Sequence, residues 1–150
     1  MMANGNLVSI EISDADVQNI NGALQTLKET LKPYISSLTP DDRRELPKMS
    51  DRTVPFVSKT LEYAESNEQF APAYMNVAEL NKDVKAVETL TQFFRQVEDV
   101  YKQLDDTIML AGSEAYVASL AFYNSIKLAS RMNVPGAEPI YRDLKERFDR

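Results

Sequence analysis

Glu62 and Glu65 stand three residues apart in a helix-forming run, a spacing that puts two carboxylates on one helix face. An all-carboxylate magnesium site would need a second pair, Glu-x-x-Asp, on the next helix. That helix does not supply it: Lys82 stands three residues after Glu79, and Thr91 three after Glu88. The two glutamates therefore read as a solvated face. Asp14-x-Asp16 opens like a calcium loop, but its sixth position is Asn19 instead of glycine, and its twelfth is Gln25 instead of glutamate. Asp105-Asp106 is the most localised acidic feature. Two carboxylates at a helix junction could hold a cation or act as acid and base. The plainer role is one cap and one acid in the first helical turn, and that role is preferred.

The chain has no histidine, cysteine or tryptophan. The commonest general base, the commonest metal ligand and the thiolate nucleophile are missing together. Serines have no histidine to activate them, and no lysine is singled out as a substitute. No two of the four glycines lie close enough to form a phosphate-cradling loop. The residues thus predict no catalytic group, no metal ligand set and no cofactor.

Aromatic residues are the remaining candidates. Tyr101, Tyr116 and Tyr123 fall on the C-terminal helical runs with Phe93, Phe94 and Phe122. Their hydroxyls could orient a ligand in an aromatic-lined cavity between long helices, with Arg95 as the nearby cation. The competing reading makes the rings core and Arg95 solvent-facing, and aromatics at helical spacing usually are core.

The elements that would position these side chains follow from hydrophobic spacing. At 150 residues with 43% hydrophobic and 27% charged, the chain is read as one globular domain, and four glycines favour long helices over hairpins. Val8 to Ile12 alternates with period two; with no second strand to pair, residues 1–12 are read as an extended arm. Ser13 caps a helix over 13–38, striped by Val17, Ile20, Leu24, Leu27, Leu31, Ile35 and Leu38, with Pro33 set to kink or end it. Thr39-Pro40 starts a short charged helix, and Phe70 to Tyr74 reads as a turn with aromatic anchors. Further helices are expected over 53–67, 76–104, 106–132 and 138–148, the one over 76–104 opened by Asn76 and the one over 106–132 by Asp105-Asp106. Gly112-Ser113 is the alternative break, passed over because a break at 105 gives helices of matching reach. Uninterrupted there, Gly112 would need a close backbone neighbour to offset its cost. The predicted architecture is all-α: a four-helix up-and-down bundle with short accessory helices and an extended N-terminal arm.

A net charge of −6, with basic and acidic residues interleaved, argues against nucleic acid and against an anionic membrane as partners. The first residues lack a basic leader and no apolar run is long enough to span a bilayer, so a cytoplasmic location is expected. Small residues Ala111, Ala115 and Ala118 share a face of a helix that is apolar nearly all round, which reads as tight packing or a subunit seam. The leading expectation is a non-catalytic interaction or scaffold protein, a homodimer that presents a helical surface to another protein. The alternative is a small-molecule binder.

Overall fold

A computed structural model describes residues 7–150. Among these residues are five α-helices and no strand: α1 (Asp14–Leu31), α2 (Pro40–Glu45), α3 (Val54–Ser66), α4 (Val77–Arg131) and α5 (Ala137–Phe148), with a 3₁₀ turn at Glu68–Phe70. The all-α class is as expected. Residues 1–6 of the predicted arm lie outside the described residues. From Leu7 to Ile12 the chain forms neither helix nor strand, and the Leu7 and Val8 amides both donate to the Glu114 carboxylate of α4, the latter at 3.3 Å.

Side-chain caps set the helix starts. Ser13 Oγ accepts from the Asp16 amide at 3.1 Å, with Asp14 and Asp16 at the positive end of the α1 dipole. Thr39 and Asp42 form a reciprocal capping box around Pro40. Asn76 Oδ1 accepts from the Glu79 amide at 3.0 Å. Glu79 does not return the bond expected of a capping box; its carboxylate pairs with Lys82 at 3.2 Å. The α1 helix stops at Leu31, not at 38. Pro33 has no amide to continue the ladder, and the chain closes with Tyr34 donating to the Leu31 carbonyl at 2.8 Å. Ile35 and Leu38 therefore fall off the α1 stripe.

The break expected at Asp105-Asp106 is absent, as is the alternative at Gly112-Ser113: α4 runs uninterrupted from Val77 to Arg131. Neither aspartate caps anything. The stretch holds no proline, and its hydroxyls are taken up within the helix without breaking it: Thr107 Oγ1 donates to the Gln103 carbonyl and Ser119 Oγ to the Ala115 carbonyl, each at 2.7 Å. Among the described residues, nothing beyond the local turn of α4 lies within 4 Å of where a side chain at Gly112 would begin, so the expected close backbone contact is not made there. The helix ends in a Schellman motif. Asn133 takes the left-handed conformation at φ 58°, its amide donates to the Ser130 carbonyl, and Val134 donates to Ala129. Gly136, at φ 85°, then turns the chain into α5.

The chain divides into two compact units, Ile12–Glu98 and Asp99–Arg150, the latter with the described residues 7–11. In the first, α3 packs against the 3₁₀ turn, and Asn81 Nδ2 donates to Glu65 Oε1 at 3.0 Å, tying the start of α4 to α3. Phe70 and Tyr74, the expected anchors, are largely exposed. In the second unit, the end of α4 meets α5 through a Tyr123–Phe148 ring stack at 5.1 Å and Tyr123–Tyr141 at 5.7 Å. Interior is nearly absent. Among the described residues Ala137 alone is buried, at 4% exposure.

Candidate functional site

The largest unexplained feature is the apolar face of α4. From Leu90 onward, apolar residues recur in alternating steps of four and three: Leu90, Phe94, Val97, Tyr101, Leu104, Ile108, Ala111, Ala115, Ala118 and Phe122. All ten occupy the inward positions of a single heptad frame, the pattern of a helix that packs lengthwise against others. All ten are exposed in the single chain; Phe94 is 64% and Tyr101 67% accessible. The frame crosses Asp105 and Asp106 without a phase change because both fall on its polar side. Sequence reasoning saw the two halves of this face as two helices. Counting the four–three alternation through residue 105 would have joined them.

A second uncovered stripe lies on α1, where Val17, Ile20, Leu24 and Leu27 are all exposed. Helix propensity alone sustains an 18-residue helix poorly in water, and tertiary packing of such a stripe normally supplies its stability.

The sequence-nominated residues separate. Tyr116 and Tyr123 come together in a shallow cleft with Leu120 of α4 and Leu144, Arg147 and Phe148 of α5. Tyr101 and Arg95 do not line it, and both are exposed on α4. Desolvation is the main cause that holds the Tyr123 phenol above its ordinary range, and the adjacent Tyr141 adds to it. In the other unit, Tyr63, Phe70 and Met75 line an open apolar cleft with Thr60, Ala64, Asn67 and Ala71; nothing in the spacing of those residues had marked it.

The acidic features are engaged locally. Glu62 pairs with Lys59 at 3.0 Å, and Glu65 takes the Asn81 amide. Glu114, half-buried, holds the two arm amides. The ion pairs Arg142–Glu138, Arg147–Asp143 and Arg150–Glu146 are exposed pairs within α5 or at its end, each one helical turn apart. Exposed in this way, such pairs contribute little to stability. No described helix is long and apolar enough to cross a membrane. Comparisons with protein-family models, with curated proteins and with solved structures returned no match.

Proposed function

We propose that this chain is a non-catalytic helical interaction protein that works as a homodimer, with its apolar helix faces serving as assembly surfaces and the dimer presenting a helical surface to another protein. One observation carries the reading: a chain with 43% hydrophobic residues buries only Ala137 among its described residues. The exposed stripes of α1 and α4 are the surfaces such an association would cover, and burying faces of this apolar character is what an obligate, core-forming interface does. The four-helix bundle then belongs to the pair of chains: two copies of α4 with two copies of α1 bring together four amphipathic faces. Size-exclusion chromatography with light scattering tests the reading. A stable particle of two chains supports it, and a cooperatively folded monomer at micromolar concentration refutes it.

A second reading, a small-molecule binder, draws support from the Tyr116–Tyr123–Phe148 cleft, with Arg147 at its edge. It predicts that a planar aromatic carboxylate protects the Tyr123 ring in a chemical-shift titration. No shift at millimolar ligand rejects it.

A further inference from the structure

The order of residue sizes along the α4 seam specifies how a second copy must lie on it. Bulky side chains fill the first part: Leu90, Phe94, Val97, Tyr101, Leu104 and Ile108. Alanines fill the next three inward positions, 111, 115 and 118, before Phe122 closes the run. We infer that two copies of α4 pair antiparallel about a twofold axis at Asp106. This register rests on the homodimer reading above and fixes what that reading leaves open.

The argument is one of volume. In an antiparallel pair centred on Asp106, Phe94 faces Ala118 of the second copy, Val97 faces Ala115, and Tyr101 faces Ala111. Leu104 meets Ile108 at the centre, and Leu90 meets Phe122 at each end. Every inward residue gains a partner, and in three of the five layers a large side chain sits over an alanine. Beside the seam Phe93 falls opposite Ala121, which repeats the rule. Gly112, next to Ala111, leaves room beside the Tyr101 ring. Cores pack at crystal-like density only when large and small residues interdigitate in this way. A parallel pair would set Phe94 on Phe94 and Tyr101 on Tyr101 while stacking alanines on alanines, overfilling one end and leaving voids at the other. The antiparallel pairing also has a cost. It brings Asp105 beside Asp105 of the second copy on the polar flank of the seam, close to the axis.

Because the chain has no cysteine, introduced thiols report the register without background. The double variant Tyr101→Cys with Ala111→Cys should cross-link covalently between copies under mild oxidation, whereas neither single variant should. Efficient cross-linking of the single variants would overturn the antiparallel register and leave the homodimer standing. Cross-linking of none, together with a monomer by sedimentation, would overturn both. Spin labels at outward positions guard against a seam variant that fails to fold. Labels at Asp106, Asp99 and Gln92 should show inter-copy separations that lengthen at each step, because each seven-residue step adds roughly 20 Å of axial offset between the copies at about 1.5 Å of rise per residue. Ser113 should match Asp99. A separation that stays constant along the helix refutes the register. Asp105→Asn should tighten dimerisation about twofold to fivefold, the value of relieving an exposed like-charge contact; an unchanged dissociation constant counts against the axis at Asp106.

Discussion

Phe94→Ala separates a covered helix face from a solvated one. A phenylalanine carries about 150–250 Å² of burial area, and Phe94 leaves 64% of its surface in water in the single chain. Covering the remainder removes roughly 130 Å², or about 3 kcal/mol at about 25 cal/mol per Å². Each dimer loses that twice. The dissociation constant should weaken by about four powers of ten, and at fixed protein concentration the melting midpoint should fall by roughly 10 °C. Circular dichroism melts over a hundredfold range of concentration, with sedimentation on the same samples, measure both quantities. If Phe94 faces water in the assembled protein, its loss stays within about 0.5 kcal/mol, as for other surface positions, and the reasoning fails. A volume swap sharpens the result. Ala118→Phe alone overpacks the seam against Phe94 of the second copy and costs about 1–3 kcal/mol. Joined to Phe94→Ala, it restores the layer and recovers most of the stability. Additive losses in the double variant would show that positions 94 and 118 never meet.

Three further outcomes follow from local geometry. Asn76→Ala removes the cap of α4 and should cost about 1 kcal/mol in chemical denaturation; no loss would mean that the Glu79 amide finds another acceptor. Glu114→Ala should strip hydrogen-exchange protection from the Leu7 and Val8 amides and leave α4 itself protected, whereas unchanged protection would mean that the carboxylate does not hold the arm. The phenol of Tyr123 is raised in the folded state by desolvation and by Tyr141, so its contribution is whole below the ordinary tyrosine value of about 10 and is lost as pH climbs through the raised value. Tyr123→Phe keeps the stack on Phe148 and should lose less stability than the parent chain in that alkaline window. Parallel declines would contradict the assignment.

Short-range chemistry made the helix starts readable from residues alone. Ser13, Thr39 and Asn76 each act on the amide three residues on, so the local sequence contains all the physics involved. The stop at Asn133 to Gly136 is readable for the same reason. The interruption predicted at Asp105 failed because two acidic residues are a cap only where the backbone leaves the helix, and nothing there makes it leave. Length was argued from a compact single chain in which neighbouring helices match, a condition that does not apply when the partner of a helix is another molecule. Tyr101, Tyr116 and Tyr123 were grouped by proximity in sequence. One α5 contact surface gathers Tyr116 and Tyr123, while Tyr101 belongs to the heptad seam. The seam was divided between one helix and a second that reads as apolar nearly all round, and only the continuity of α4 shows that both halves share one frame.

Sedimentation equilibrium across the micromolar range tests the central claim most directly: the stripes of α1 and α4 are an interior completed by a second copy of the chain. The account predicts a folded particle of twice the 17.0 kDa chain mass, losing helix only as it dissociates. A 17.0 kDa species that keeps its full helical signal and unfolds cooperatively, with a midpoint independent of concentration, would contradict it.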